Sequence, residues 1–480
     1  MSPKPLRIDA TIDRAAAERP DNVALIFGDK RWTYAQLRAE RDRRAGVLVE
    51  AGLRPGDRVV VASTPTDEMA IDFLACARAA APLLILSPLL TGPELATLAA
   101  AAAPALALTP DGTPQPALGT PRTLPLALPG EPGATALAEA ARRATGGSDE
   151  PALLRGTSGT TGGMPKLVIA PHRQFTSRLA APSWWEETEG VYLYTATNHF
   201  TPPDVCMIFG LGATLIFTHT LTPSRLEAEL AAHGATGLYL FPALLPALVR
   251  SSDPAPPDLR LTHIRASAAG LPTRVRRAVE ERYGIPIVSS YSSTEGGITF
   301  EPPRGTPQGS IGVPVCGVSA RIIDERGQDL PPGATGELLI QTPNAMLGYL
   351  NNPEATAATI RDGWLHTGDF ARRDAEGFYY IEGRRALRIN VGGFKVNLEE
   401  VEAVLLDHPG VREVAVTALA DSARGEVVQA FVVPNGAELT VGALQQFCRP
   451  RLARYKIPRL ITFRDALPRS PLGKILRHKL

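Results

Sequence analysis

Residues 156–166 read GTSGTTGGMPK and form the sharpest local pattern in the 480-residue chain. Closely spaced glycines let backbone N–H groups converge on an anion, hydroxyl side chains add donors, and Lys166 adds a full positive charge. The pattern therefore predicts a phosphate-binding loop. It departs from the G-x-x-x-x-G-K-[ST] pattern of Walker-type NTPases because Leu167 follows the lysine. On composition alone, a solvated Gly/Ser/Thr loop is the alternative.

Outside this loop, the composition is that of a globular protein with more than one core. The chain is 44% hydrophobic and 21% charged, and its length exceeds what one core usually organises. Fifty basic residues against forty-nine acidic ones leave a net charge of +1, which disfavours nucleic acid as a partner. The four cysteines lie more than a hundred residues apart, which disfavours zinc sites and redox dithiols.

The amino-terminal segment does not resemble an export signal. Residues 1–20 mix charges with prolines instead of forming an apolar run. The most apolar stretches, residues 79–90 and 95–108, are shorter than the roughly 20 residues that span a bilayer and are interpreted as core. We therefore expect a cytoplasmic protein without a membrane span.

Alternating apolar runs and amphipathic stretches predict an α/β fold for most of the first 380 residues. A strand is expected at residues 23–27, a helix at 34–52 and a buried strand at 58–62. Eight prolines between residues 104 and 132 predict a surface connection there, without a regular helix or an interior strand.

The pattern changes near Gly383. Beyond it we expect a helix at residues 398–407, strands at 411–418 and 427–433, a helix at 441–454 and a last strand at 460–463. The predicted architecture is a large multi-subdomain α/β region, residues 1–383, followed by a small α+β domain, residues 384–480.

Three further segments carry side chains suited to nucleotide chemistry. SYSSTEG at residues 290–296 combines an aromatic face, hydroxyls and a carboxylate that can hold Mg²⁺. WLHTGD at 364–369 ends in an acceptor for two ribose hydroxyls, and Lys474 lies on a basic tail. Alone, the first would be a helix start, the second a turn and the third a solvated terminus.

Taken together and in order, these segments resemble the motifs of the adenylate-forming superfamily of acyl-CoA synthetases, nonribosomal adenylation domains and luciferases. The similarity extends to GRRALRINVGGFKV at residues 383–396, LPRSPLGKILR at 467–477, and GELLI with GYL at 336–350, which we interpret as strand and turn scaffolding. It covers roughly residues 20–480. The GMPKL ending of the phosphate loop is closest to aryl-acid-activating members.

The resemblance implies ATP and Mg²⁺ as cofactors and assigns a role to individual residues. Catalysis would fall to Lys474, Thr294 and Glu295, with Glu295 also the metal ligand. The nucleotide-binding residues would be Thr157, Ser158, Gly159, Thr160, Thr161, Gly162, Lys166, Gly270, Tyr291, Asp369 and Arg384. The acid pocket would include Asn198, His199, Phe200 and Ala269.

The resemblance also implies two half-reactions and a mobile small domain. A carboxylic acid, aromatic or small, would be adenylated and then passed to a phosphopantetheine thiol. Because the chain ends six residues after Lys474, we expect that thiol to arrive in trans, on CoA or a separate carrier protein.

Three alternatives stay open. The first is an amino-acid adenylating enzyme with Asp204 as the amine ligand, for which an exposed loop acid is the competing interpretation. The second is a non-thiol nucleophile. The third is a non-catalytic ATP-binding relative, suggested by Ala386 where the family carries a charged hinge residue.

Overall fold

The structure is a computed structural model of the whole chain. It describes residues 5–88, 90–119, 122–157, 166–195, 200–220, 222–240, 244–249, 255–266, 273–384, 387–391, 394–421, 425–436, 439–469 and 475–480.

The helices are short, and several begin at a threonine, asparagine or proline that satisfies or spares the first N–H groups. In chain order they are α1 (Ile8–Glu18), α2 (Tyr34–Glu50), α3 (Asp67–Arg78), α4 (Gly92–Ala102), α5 (Ala134–Arg143), α6 (Arg173–Thr176), α7 (Pro202–Gly210), α8 (Pro223–Ala232), α9 (Leu245–Val249), α10 (Thr273–Tyr283), α11 (Pro353–Thr359), α12 (Leu398–Leu406) and α13 (Val441–Cys448).

The strands of the first half alternate with these helices. They are β1 (Val23–Phe27), β2 (Lys30–Thr33), β3 (Val59–Ala62), β4 (Leu83–Leu86), β5 (Leu106–Thr109), β6 (Thr123–Pro125), β7 (Pro151–Gly156), β8 (Leu167–Pro171), β9 (Val191–Thr195), β10 (Thr214–Thr218), β11 (Gly237–Leu240), β12 (His263–Ala266) and β13 (Ile287–Val288).

The strands of the second half follow one another mostly without helices. They are β14 (Tyr291–Ser293), β15 (Gly297–Glu301), β16 (Val313–Pro314), β17 (Ser319–Ile323), β18 (Gly336–Gln341), β19 (Gly348–Tyr349), β20 (Ile360–Arg361), β21 (Trp364–Arg373), β22 (Tyr379–Arg384), β23 (Arg388–Val391), β24 (Phe394–Asn397), β25 (Val411–Asp421), β26 (Gly425–Pro434) and β27 (Leu460–Phe463).

Two seven-stranded, mostly parallel sheets organise the large region. Their strand orders are β13-β12-β11-β9-β10-β1-β2 and β19-β8-β7-β4-β3-β5-β6. One hydrophobic cluster contains the apolar faces of α1, α2 and α3 together with residues of both sheets. This is the α/β architecture that the alternating sequence pattern predicts.

Antiparallel pairing dominates beyond β13, and β27 is the exception because it pairs in parallel with β26. The hairpin β14-β15-β16 and a five-stranded sheet built on β17-β18-β21-β20 complete the large region, with β22 paired to β21. The strands after Arg384 form a separate sheet, β24-β23-β26-β25 with β27 beside β26, and have their own hydrophobic core with α12 and α13. The protein is therefore α/β, with a smaller α+β unit at its carboxyl end.

Most predicted elements are confirmed, and two are corrected. The prediction of no interior strand between residues 104 and 132 is wrong, because β5 is buried between β3 and β6. The prolines bracket its four residues without interrupting them. The helix predicted to reach residue 454 ends at Cys448, because Pro450 cannot continue it. No helix of the described residues is long and apolar enough to cross a membrane.

A buried ionic cluster ties α2 to α3. The guanidinium of Arg44 donates from Nε to Glu40 Oε1 at 2.7 Å and from Nη1 to Asp72 Oδ1 at 2.8 Å. Both Arg44 and Asp72 are 1% exposed. Burial raises the pKa of Asp72 to about 6, and the Arg44 guanidinium opposes that shift. The packing of α2 against α3 therefore depends on a desolvated charge pair.

We expect Arg44→Met to lower the free energy of unfolding by about 3 kcal/mol at neutral pH, because a buried carboxylate loses its cation. The loss should shrink as the pH falls toward 5. The pKa of Asp72 in the folded protein lies above its ordinary value of 3.8, so Asp72 becomes protonated as the pH falls toward 5. A protonated, neutral Asp72 no longer requires a cation beside it. Urea unfolding at pH 5 and pH 8 measures both effects. Arg38→Met is the matched control on α2, since Arg38 is 49% exposed, and an equal loss there would contradict the assignment.

Candidate active site

The predicted phosphate loop connects two antiparallel strands, β7 and β8. The backbone N–H of Thr157 donates to the carbonyl of Lys166 at 2.9 Å, and the N–H of Lys166 donates to Thr157 Oγ1 at 3.3 Å. These two bonds close the base of the loop. Five of its predicted nucleotide-binding residues lie outside the described residues: Ser158, Gly159, Thr160, Thr161 and Gly162.

Thr294 and Glu295 lie in the tight turn between β14 and β15, and not at the start of a helix. The buried side-chain amide of Gln174 stabilises this turn through hydrogen bonds. Nε2 of Gln174, on α6, donates to the carbonyl oxygens of Thr294 at 3.3 Å, Glu295 at 3.4 Å and Asn344 at 3.0 Å. Gly297, at φ +69°, lets the chain pass closely over the Gln174 side chain. Nothing in the sequence pattern singled out Gln174.

Tyr349 connects the phosphate loop to the predicted metal-binding carboxylate. Its hydroxyl donates to Glu295 Oε1 at 2.8 Å, and Lys166 Nζ lies 4.9 Å from the centroid of its ring. Burial, and then the charge of Glu295, raise the pKa of Tyr349 well above its usual range, so the hydroxyl stays a neutral donor. The sequence interpretation of residues 348–350 as scaffolding is right for β19 but missed this contact.

Tyr291, Asp369 and Arg384 are brought together from two sheets, with Tyr291 on β14 and the other two on the paired strands β21 and β22. Asp369 lies opposite Arg384 in the β21-β22 pair, and Arg384 Nε is 3.0 Å from Asp369 Oδ1. The Tyr291 hydroxyl donates to Asp369 Oδ2. Gly368, at φ +70°, lies just before the carboxylate on β21. A carboxylate has about four acceptor positions, so Asp369 keeps capacity for further donors such as ribose hydroxyls.

The described residues fit a magnesium-bound nucleotide. Glu295 Oε1 accepts from Tyr349, whereas Oε2 accepts no hydrogen bond from a described residue. No group of three metal-binding side chains occurs among the described residues. One carboxylate, completed by phosphate oxygens and water, is a common arrangement for Mg²⁺. The carboxylate of Asp369 and the ammonium of Lys166 suit the ribose and phosphate ends of the same ligand.

Only part of the predicted acid pocket falls within the described residues. Asn198, His199, Ala269 and Gly270 lie outside them. Phe200 is 3% exposed and packs edge-on against Phe73, with ring centroids 5.3 Å apart. Phe200 therefore belongs to the hydrophobic cluster that contains residues of both large sheets.

Asp204, proposed as an amine ligand or an exposed loop acid, is neither free nor in a loop. It lies in the first turn of α7, accepts from Thr201 Oγ1 at 2.9 Å and pairs with Arg265 of β12. The two paired side chains are 13% and 4% exposed. The charge of Asp204 is therefore already compensated inside the protein.

Lys474 and Ala386 also lie outside the described residues. On either side of residues 470–474, Arg469 and Ile475 form an antiparallel bridge, and Leu476 N donates to the carbonyl of Pro468 at 2.8 Å. The residues that flank the segment with the predicted catalytic lysine are therefore paired with each other.

Comparison with known proteins gives family matches to both parts of the chain. Residues 12–350 match the family described as AMP-binding enzyme, and residues 400–474 match the AMP-binding enzyme C-terminal domain. The indoleacetate–CoA ligase of Aromatoleum aromaticum is 31% identical over 98% of this chain and 96% of its own length.

Two further relatives extend the comparison. The long-chain-fatty-acid–CoA ligase of Escherichia coli strain CFT073 is 35% identical over 68% of this chain, but the match spans only 61% of that ligase. The solved O-succinylbenzoate coenzyme A synthetase of Bacillus subtilis, in complex with ATP and magnesium ion, superposes with a TM-score of 0.85 at 26% identity, covering 98% of each chain.

We expect Tyr349→Phe to weaken Mg²⁺-dependent ATP binding about tenfold, because a net hydrogen bond to a charged group is worth about 1.5 kcal/mol. Calorimetric titration of ATP at several Mg²⁺ concentrations measures this effect. Tyr380→Phe is the control, since the Tyr380 hydroxyl donates to a different carboxylate, Asp374 Oδ2, at 2.9 Å. Equal losses in both variants would mean that the Glu295 contact has no special role.

Proposed function

The chain belongs to the AMP-binding enzyme family, and we propose that it activates a carboxylic acid with ATP and transfers the acyl group to a thiol. The observation that carries this proposal is the line of contacts from Lys166 through Tyr349 to Glu295. It joins the phosphate loop to a carboxylate suited to a metal ion, and Asp369 with Arg384 adds a ribose site.

In the first half-reaction, a carboxylate oxygen of the acid bonds to the α-phosphorus of ATP. The bond from that phosphorus to the bridging oxygen breaks, and its electron pair leaves with pyrophosphate. The protein contributes positioning and charge stabilisation. Lys474 neutralises the approaching carboxylate and the α-phosphate, and the Thr294 hydroxyl donates to the α-phosphate. Glu295 would hold Mg²⁺, which would supply charge neutralisation at the phosphates.

The nucleotide is held by residues from several elements. Thr157 to Lys166 surround the phosphates, Asp369 accepts from the ribose hydroxyls, and Arg384 contacts ribose or phosphate. Tyr291 and Gly270 lie along the adenine. In this assignment the Tyr291 hydroxyl orients Asp369 while its ring contacts the base.

In the second half-reaction, the acyl group passes from the adenylate to a phosphopantetheine thiol. CoA is proposed as the acceptor because the two curated relatives described above are CoA ligases. A separate carrier protein, the acceptor named for another curated relative, is the alternative. We place the division between residues 1–383 and 384–480, with the small domain turning between half-reactions at the neutral hinge around Ala386. A neutral residue can absorb such a rotation if its backbone angles allow it.

The acid is proposed to be aromatic or small. Support comes from the aryl-like phosphate loop and from relatives that act on indoleacetate and O-succinylbenzoate. The amino-acid alternative is disfavoured, because an amine would have to compete with Arg265 for Asp204.

Acid-dependent exchange of pyrophosphate into ATP tests the first half-reaction. We expect exchange with aryl acids or other small acids, and little with long-chain fatty acids or amino acids. Amino-acid-dependent exchange would overturn the substrate assignment, and absence of exchange across the panel while ATP still binds would overturn the proposed activity.

Lys474→Ala is expected to reduce exchange by at least a thousandfold while ATP affinity changes less than fivefold, because most of the proposed nucleotide contacts lie outside this segment. Lys479→Ala, which removes an exposed lysine of the same terminus, is the control and should behave as wild type. Unchanged exchange in Lys474→Ala would exclude the lysine from catalysis.

A further inference from the structure

Arg155 is a cation at the end of β7 whose side chain has no assigned role. It lies opposite Val168 of β8, and Val168 in turn lies opposite Tyr349 of β19. Directly opposed residues of antiparallel strands project from the same face of a sheet. Arg155 therefore shares a face with Tyr349, two strands and about 10 Å away.

The hydrophobic clusters identify the same face independently. Leu153, two residues before Arg155, packs in one cluster with Tyr194 of β9 and Val205 of α7, whereas Leu154 packs in another cluster with Leu98 of α4. Side chains alternate along a strand, so Arg155 points with Leu153 toward α7 and β9. This is the side on which α7, which carries Asp204, and the side chain of Phe200 lie.

Arg155 has no direct partner among the described residues. Its guanidinium forms no hydrogen bond or ion pair with any of them. The charges of Glu295 and Asp204 act on it, and Asp204 is itself paired with Arg265. Burial lowers the pKa of Arg155, and the two carboxylates oppose that shift. Arg155 is nevertheless only half-buried, so its guanidinium is not sealed inside the protein.

We propose that Arg155 binds a second anionic group of the acid substrate, so that the enzyme acts on carboxylic acids that carry another carboxylate or a sulfonate. This inference rests on the proposed function. A guanidinium offers paired donors that match a planar carboxylate, and a buried cation without a partner gains most from a bound anion.

The position of Arg155 favours the distal acidic group over the reacting carboxylate. Thr157 begins the phosphate loop, and Arg155 lies two residues earlier, roughly 7 Å deeper along the strand. The reacting carboxylate must meet the α-phosphate beyond Thr157. An anion on Arg155 would therefore be at the opposite end of a small substrate.

Pairs of acids that differ in one charge test the inference. ATP–pyrophosphate exchange is measured for two sets of acids. The first set compares hexanoate with adipate, and the second compares benzoate with phthalate, isophthalate and terephthalate. We expect kcat/KM to favour at least one doubly charged member by tenfold or more over its partner. Arg155→Met should abolish that preference while changing exchange with the singly charged partner less than threefold, and Arg155→Lys should keep part of the preference.

Two controls make the result interpretable. Arg58→Met removes an arginine of the same sheet that donates to the carbonyl of Ala102, and should leave the preference intact. ATP affinity and melting temperature show whether each variant is folded. If Arg155→Met does not fold, the loss of preference is measured in Arg155→Lys instead.

Each outcome has one meaning. A preference for singly charged acids, or a preference that survives Arg155→Met, overturns the inference and leaves the proposed function standing. An equal loss with both members of a pair places Arg155 on the reacting carboxylate and also overturns the inference. Exchange with no acid at all removes the proposed function, and the inference with it.

Discussion

The pairing of β8 with β7 on one side and with β19 on the other is the constraint on which the site depends. Through β7 it closes the phosphate loop at Thr157 and Lys166, and through β19 it places Tyr349 beside that loop. The chain then continues from β8 into α6, where Gln174 holds the turn that carries Glu295. One short strand thus positions three segments that are far apart in sequence.

Buried ion pairs are a second constraint on how the helices and strands pack. Arg44 with Asp72 and Arg265 with Asp204 are desolvated pairs whose members lie on different elements. Such pairs add little net stability over apolar packing but penalise any arrangement that separates them. They therefore fix which helix and strand faces meet. Arg155, which has no such partner among the described residues, stands out against this background.

The sequence was sufficient to predict the α/β class, the small carboxyl-terminal unit and those strands for which it gave bounds, because hydrophobic periodicity depends on local burial. By resemblance alone, it assigned Tyr291, Asp369 and Arg384 to the nucleotide, and the structure brings these three side chains together. It missed Tyr349 and Gln174, since a tyrosine in a strand and a glutamine in a short helix have no local pattern that indicates function. Their roles arise from cross-strand register and tertiary packing. β5 was missed because prolines near a strand were counted as prolines within it.

The contact between Arg384 and Asp369 has a consequence for how the two parts of the chain communicate. Arg384 is the last residue of β22, directly before the connection to the small domain, and its guanidinium is bonded to the carboxylate suited to ribose. For the rotation proposed at this connection, a ligand that competes with Arg384 for Asp369 would change the energy of the turn. Because coupling free energies are reciprocal, the orientation of the small domain must then alter the affinity for that ligand by the same factor. A single carboxylate can in this way act as a thermodynamic link between occupancy and domain orientation.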